Sequence, residues 1–366
     1  MSRILQRYIE RWLVMQMAQH MDDRPSRRSR LKLRLLHGGH YMATMFFLNS
    51  FRMQEQQIII TGANGQLGTE LTAALRVRYG VGRVIATDIR QPAVTDINFR
   101  LLDVMDREAL GQLVSDTGAT IIYHLAAFLS ASGEQRPLQA WDLNMQGLLN
   151  VLEVARETGC RVFWPSSIAL FGEHVPSAYC PQHTVTQPGT VYGISKAAGE
   201  NWCQYYHNTY GVDVRSIRYP GLISHTALPG GGTTDYAVDI FYHAVRGDTY
   251  TCFLAAETIL PMMYMPDAVA GTIQLMEAPA DAINIRTSYN FAAFSFSPEQ
   301  LATAIQKYIP EFTWRYQPDF RQRIANSWPQ DINDRCARSD WAWEPKYGFD
   351  HMVSDMLSAI GARITR

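Results

Sequence analysis

Three isoleucines and a threonine run straight into three glycines spaced three apart, IIITGANGQLG from Ile58 to Gly68, and this junction limits the fold more than any other stretch. The apolar run has the length of a buried strand and the residues after Gly65 have helical character, so the glycines fall at a strand-to-helix turn. There Gly62 makes the tight turn, Gly65 lets backbone approach a pyrophosphate, and Gly68 permits close packing of helix on strand. The spacing GxxGxxG is one residue longer than the common dinucleotide fingerprint. Support comes from Asp88, at the end of the next strand in VIATDIR. A carboxylate there accepts hydrogen bonds from the adenosine ribose hydroxyls and repels a 2′-phosphate, which favours NAD over NADP. A solvated strand end is the plainer reading of Asp88, and Arg90 nearby works against the cofactor preference.

The chain then keeps a regular rhythm. IIIT is followed by a helix over Gln66–Tyr79, the strands RVIAT and FRLLDV, a helix over 106–116, the strand TIIYHLAA and a long helix over 137–157. RVFWPSS, a helix from Val191 and VDVRSIRY complete the series. Fully apolar strands alternating with helices imply a parallel sheet covered on both faces. The expected class is therefore α/β, a Rossmann-type doubly wound parallel sheet with a smaller C-terminal α+β lobe. After Tyr219 the rhythm breaks at PGLISHTALPGGGTTDYA, and Ser297-Pro298-Glu299-Gln300 reads as an N-cap, N1 proline and capping box opening a later helix. The division expected is 1–52 as a basic leader outside the fold, 53–220 as the NAD-binding domain and 221–366 mainly as the substrate lobe.

Composition removes several function classes. With 33 basic against 34 acidic residues the body of the chain has no electrostatic footprint for nucleic acid. The basic charge belongs to residues 1–50, where eight Arg and one Lys face only Glu10, Asp22 and Asp23. Five cysteines, odd in number and never in a CxxC pair, suggest neither a disulfide frame nor a zinc site, and no metal is expected. No apolar run approaches the roughly 20 residues of a membrane span. In the leader, Arg3, Arg7 and Arg11 lie four apart, with Ile4, Leu5, Tyr8, Ile9, Trp12 and Leu13 on another face, the amphipathic pattern of a mitochondrial transit peptide. The competing reading is a true start at Met42, Met45 or Met53. The first places the protein in the mitochondrial matrix, the second in the cytoplasm.

A second chemical signal is Tyr192-Gly-Ile-Ser-Lys196 on the helix after RVFWPSSIALFG. Four residues make about one helical turn, so phenol and ammonium share a face and Lys196 can stabilise a phenolate. A free phenol has a pKa of about 10, and a nearby cation makes it a usable base closer to neutrality. YxxxK alone is common on surface helices; behind a nucleotide fold and a strand ending in Ser166-Ser167 it carries weight.

With GANGQLG, HLAA, Asn144 in LNMQG, SSIALFG and YGISK in this order, residues 57–360 resemble the extended short-chain dehydrogenase/reductase family. More narrowly, LSASGE, PGGGTTDYAVDIF, LPMMYMPDA and NSWPQDIND look like its L-threonine 3-dehydrogenase group. The resemblance implies Tyr192 as base, Lys196 as its partner and Ser167 as the hydroxyl that positions the substrate alcohol. Ser167 is preferred over Ser166 because it lies five residues before Gly172, the family's offset. It further implies cofactor contacts from Asn64, Gln66 and Leu67 in the turn, Asp103 and Val104 after the third strand, Leu125, Ala126 and Ala127 in HLAA, and Asn144 and Tyr219. Ser130, in the loop after HLAAF, and Thr233 and Thr234 in GGGTTDY are implied to contact the amino acid, with glycine amides and threonine hydroxyls suited to a carboxylate. Trp328 reads as a core residue more readily than as a lid.

The function implied is NAD-dependent oxidation of L-threonine to 2-amino-3-oxobutyrate. The alternatives are a nucleotide-sugar epimerase or dehydratase on the same scaffold and a non-catalytic NAD sensor. A homodimer is also implied. Trp141, Leu148, Leu149, Val151 and Leu152, with Trp202, Tyr205 and Tyr206, offer more apolar surface on two helices than one sheet face absorbs, so a four-helix interface is expected.

Overall fold

The computed structural model describes residues 56–92, 96, 98–226 and 230–364. The Arg-rich leader, and with it both readings of the compartment, lies outside the described residues. From Gln56 onward the chain forms one compact unit.

Seven strands build the main sheet: β1 (Ile58–Thr61), β2 (Val84–Asp88), β3 (Phe99–Leu101), β4 (Ile121–His124), β5 (Arg161–Ser167), β6 (Val214–Tyr219) and β10 (Tyr289–Asn290). Their order is β10-β6-β5-β4-β1-β2-β3, and every neighbouring pair is parallel. The order reverses at β1, and ligands of such sheets bind outside the carboxyl ends at that crevice. Between strands run α1 (Gln66–Tyr79), α2 (Arg107–Thr117), α3 (Ser130–Glu134), α4 (Pro137–Thr158) and α5 (Val191–Tyr210). Side chains alternate across the pleat. Ile59 lies with Ile122, Val162 and Trp164 in the core under α2, α4 and α5. Ile58 and Ile60 lie with Tyr123, Phe163 and Ile217 on the other face, against Leu71 and Leu75 of α1. Both faces being covered is why the strands read as unbroken apolar runs.

Two strands are shorter than the sequence suggests. FRLLDV pairs only over Phe99–Leu101, because β3 is an edge strand with β2 as its sole neighbour. TIIYHLAA leaves the sheet after His124, where its backbone passes against Gly62.

Beyond Tyr219 come β7 (Gly221–Ile223), α6 (Tyr236–Arg246), β8 (Tyr250–Cys252), β9 (Leu260–Tyr264), α7 (Met265–Glu277), β11 (Phe294–Phe296), α8 (Pro298–Gln306), β12 (Trp314–Tyr316), α9 (Arg321–Asn326), α10 (Arg335–Trp341) and α11 (Phe349–Ile364). β11, β9 and β7 form a small mixed sheet, and β12 pairs with β8. α8 starts on a capping box, Ser297 accepting from Gln300 N while Gln300 accepts from Ser297 N. α7 and β10 return to the main layer, Val269 and Ile273 of α7 packing into the core beside α1. None of the helices among the described residues is long and apolar enough to cross a membrane.

Candidate active site

β1 ends in a turn that only glycine can make. Gly62 has φ +69°, and a Cβ there would stand 2.6 Å from Ala126 N. A Cβ at Gly68 would meet Gly62 O at 2.4 Å, so α1 lies directly on the turn. Gly65, the N-cap of α1, differs: it is exposed, and a Cβ on it would touch only Gly62 O, at 3.3 Å. Its open side faces outward at a helix N-terminus, where N–H groups and the positive end of the dipole favour an anion. Beside it, Gln66 has a buried Nε2 with no hydrogen-bond partner. Asp88 is buried, its carboxylate accepting from Asn64 N at 3.2 Å and Arg90 N at 3.1 Å, while the Arg90 side chain stays in solvent 4.0 Å away. A clear cradle, an orphan donor and a carboxylate at the strand end fit a dinucleotide. Asp88→Ala is expected to raise the Kd for NAD and to narrow the NAD/NADP preference in steady-state kinetics, because a carboxylate at such a strand end can bond ribose hydroxyls and repel a 2′-phosphate. An unchanged preference would make Asp88 an ordinary strand end.

The other nominated positions fall around this crevice, but in several the side chain is committed to the protein. Leu125 N donates to Thr61 O, so Leu125, Ala126 and Ala127 leave β4 across the turn. Asn144 is buried, exchanging hydrogen bonds with both backbone groups of Phe128 and donating to Ser195, so it clamps the segment after HLAA. Val104 is buried against α4, its carbonyl accepting from Asn150, and Asp103 is exposed and caps the following turn. The Tyr219 phenol bonds Thr272 of α7 inside the core.

Opposite the glycine turn, α5 presses its first turn onto residues 168–170. Thr190 caps α5 by accepting from Gly193 N, and the Glu134 carboxylate accepts from Val191 N at 2.7 Å. A Cβ on Gly193 would strike Ala169 O at 2.1 Å, and one on Gly199 would overlap the Trp164 ring at 2.4 Å. These two glycines let the helix lie close enough to β5 for its side chains to meet the strand end. Sequence reasoning passed over them, although glycine in a helix interior costs about 1 kcal/mol and so signals a packing need.

At this contact Ser167 is turned to Tyr192, and Ser166 is turned away to Glu200. Burial pushes the Tyr192 phenol up to about 12, and the hydrogen bond from Ser167 acts to lower it. Lys196 is buried, which pulls its ammonium down to about 7. Its Nζ donates to Pro165 O at 2.5 Å and lies over the Trp164 ring at 4.4 Å and the Tyr192 ring at 5.3 Å. His124, seen in the sequence only as part of HLAA, is buried behind them. Burial and the Lys196 charge hold it down to about 3, so it is neutral, with Nδ1 2.8 Å from Thr61 Oγ1.

Ser130 stands at the first position of the short helix α3 and not in a loop, because the chain turns at once to set Glu134 on α5. Its Oγ lies 3.5 Å from Thr233 Oγ1, so the two buried hydroxyls come together from distant segments. Thr234 packs its methyl side toward Gly221. The expectation that glycine amides of this loop await a carboxylate needs correcting: those of Gly231 and Gly232 donate to Asp235 at 2.7 and 2.6 Å. Trp328 is buried in the core cluster that includes Ile223, Phe241 of α6 and Leu260 of β9. Among the described residues the five cysteines are free, and no three His, Cys, Asp or Glu side chains gather as a metal site would require.

This architecture recurs in known proteins. The chain matches the NAD dependent epimerase/dehydratase family over residues 58–291. It is 50% identical over 315 residues to an uncharacterized epimerase/dehydratase of Staphylococcus aureus (strain USA300), covering 85% of this chain and 98% of that one. Among solved structures, a GalE-like L-threonine dehydrogenase from Cupriavidus necator in its holo form superposes with a TM-score of 0.81 at 56% identity, covering 82% of this chain and 99% of that one. A monomeric L-threonine 3-dehydrogenase from a metagenome database gives 0.83 at 44% identity, covering 85% and 100%.

Proposed function

This chain belongs to the NAD dependent epimerase/dehydratase family, and within it we propose that it is an NAD-dependent oxidoreductase that oxidises L-threonine at the 3-hydroxyl to 2-amino-3-oxobutyrate. The observation that carries this reading is similarity running end to end: 56% identity over 99% of an L-threonine dehydrogenase. Ser167, Tyr192 and Lys196 stand together at the crevice of this chain. NAD, when bound, supplies the hydride acceptor for the hydrogen on the substrate's Cβ. The protein does the rest. Ser167 Oγ holds the substrate oxygen, the Tyr192 phenolate takes the hydroxyl proton, and the Lys196 ammonium stabilises that phenolate. Ser130 and Thr233 offer paired hydroxyls to the polar end of the amino acid. Incubating the protein with NAD and either L-threonine or a UDP-sugar tests the reading: NADH should accumulate with threonine, and accumulation with the sugar alone would overturn it.

The assembly proposed with this function is a homodimer, on fewer residues than the sequence suggested. Leu148, Val151, Leu152 and Tyr206 are core and Leu149 packs partly buried against them, because α4 and α5 pack on each other and on the sheet. What remains outside is Trp141, Trp202, Tyr205 and Tyr210, 38–47% exposed, with Leu138 at 78%. Trp202 and Tyr205 meet edge to face at 5.7 Å, as do Tyr205 and Tyr210. A rigid aromatic patch of this kind is what interfaces bury. One similar structure is itself described as monomeric, so light scattering decides. A dimer is expected at micromolar protein, with Trp202→Glu shifting it to monomer.

A further inference from the structure

The end of β5 and one face of α5 meet in three consecutive rungs. Ser167, whose Oγ accepts from Ala169 N at 3.2 Å, lies within hydrogen-bonding influence of Tyr192, Pro165 O accepts from Lys196 Nζ at 2.5 Å, and Ser166 Oγ donates to Glu200 Oε1 at 2.6 Å. Tyr192, Lys196 and Glu200 are spaced four apart, one helical turn each. The first two rungs belong to the acid–base group proposed above. The third has no assigned role, yet it is built with care. Glu200 is buried and receives Arg218 in two-pronged fashion, Nε at 2.8 Å and Nη2 at 2.7 Å. Arg218 is the residue paired with Ser166 across β5 and β6, so one carboxylate gathers both strands. The remaining Arg218 nitrogen is satisfied by Gln182 O at 2.8 Å and Asn290 Oδ1 at 3.0 Å, the latter on β10.

We propose that Glu200 is a positioning residue for the reaction: anchored by Arg218, it fixes the end of β5 to α5 through Ser166 and sets a negative charge one turn beyond the Lys196 ammonium. A buried ion pair is weak support for stability, since desolvation offsets most of the attraction. Its placement here serves alignment. A shift of Ser166 carries Pro165 and Ser167 with it, and these hold Lys196 and Tyr192.

The electrostatic surroundings agree. Tyr192, Cys203 and Glu200 face Lys196 from its own helix and His124 from β4, Arg218 of β6 is engaged by Glu200, and Trp164 and Pro165 of β5 are uncharged. Burial keeps Cys203 a thiol and His124 is neutral, which leaves Glu200 as the negative charge that opposes desolvation of Lys196.

The inference rests on the proposed roles of Tyr192 and Lys196, and two variants test it. Ser166→Ala removes the third rung and leaves the ion pair intact. It should lower kcat roughly ten- to a hundredfold with NAD affinity unchanged, the size of effect that small misplacement of reacting groups produces. Glu200→Gln keeps shape and acceptor but loses the charge. Lys196 then gives up its proton at lower pH, so the alkaline limb of kcat/KM, where the ammonium that supports the phenolate is lost, moves to lower pH by roughly one unit. Should the single change fail to fold with Arg218 unpaired, Glu200→Gln with Arg218→Gln removes both charges, keeps the net charge near Lys196, and reads the alignment role alone as the same fall in kcat. Titration of the Lys196 ammonium by NMR against a Lys196→Met reference reads the shift without substrate, so a failed threonine assay is distinguishable from a failed rung. A wild-type kcat in Ser166→Ala or in the double variant, or a wild-type pH profile in Glu200→Gln, overturns the proposal.

Discussion

Changing Tyr192 to phenylalanine is expected to lower kcat for threonine by roughly a hundred- to ten-thousandfold, the usual contribution of general acid–base catalysis, while NAD still binds. One hydroxyl is lost and no packing, since the ring stays over Lys196 and the helix cap at Thr190 is untouched. The glycine turn and Asp88, to which the cofactor is assigned in this proposal, share no hydrogen bond with this residue. The size of the loss follows from how unready the group is alone. Burial places the phenol at about 12 and the neighbouring ammonium at about 7, so near pH 7 the phenol is neutral and the ammonium holds its proton only in part. A positive charge near the phenol stabilises phenolate over phenol, and Lys196 must keep its proton to provide it. Lys196→Met should therefore raise the acid limb of kcat/KM, which Tyr192→Phe cannot show because it has no phenol to titrate. A phenylalanine variant turning over at near wild-type rate would remove Tyr192 from the chemistry.

The parts of this site written in local sequence were legible: a turn that needs three glycines, a strand ending in serine, a tyrosine and lysine one helical turn apart. Each is a pattern over fewer than a dozen residues. What escaped depends on contacts between distant segments. Tyr289 and Asn290 form a two-residue strand with no period to detect, and they join the sheet because β6 offers an unpaired edge. Glu200 and Arg218 belong to no local motif, and only the fold pairs them in the interior. On α4 and α5 the apolar residues were visible, but periodicity cannot say which stripe meets the sheet, which the neighbouring helix and which solvent. Asp235 likewise stands in the sequence beside Gly231 and Gly232, yet only the folded loop shows its carboxylate turned back onto their amides.

Gly62→Ala is expected to weaken NAD binding by on the order of a hundredfold or more and to lower the melting temperature as well. The backbone at this position has φ +69°, where an L side chain is strained, at roughly 1–3 kcal/mol. The added methyl would also sit 2.6 Å from Ala126 N, 2.8 Å from Ala126 Cα and 2.9 Å from Leu125 C. These are backbone atoms just past a strand held in register with β1 and tied again by Leu125 N to Thr61 O, so they cannot yield as a side chain would. Overpacking of this kind adds roughly 1–3 kcal/mol. The cheaper escape is for the turn to open, which shifts Asn64 off Asp88 and displaces the N-terminus of α1. At about 1.4 kcal/mol per tenfold, a few kcal/mol spent this way is at least a hundredfold in Kd. Gly65→Ala separates the cradle from the turn. Gly65 has φ −72°, is exposed and has one near neighbour at 3.3 Å, so alanine there should leave the melting temperature close to wild type. If its outward face receives the pyrophosphate, the same variant must still lose NAD affinity. A Gly65→Ala protein that binds NAD normally would show that the space beyond this glycine is not where the phosphates lie.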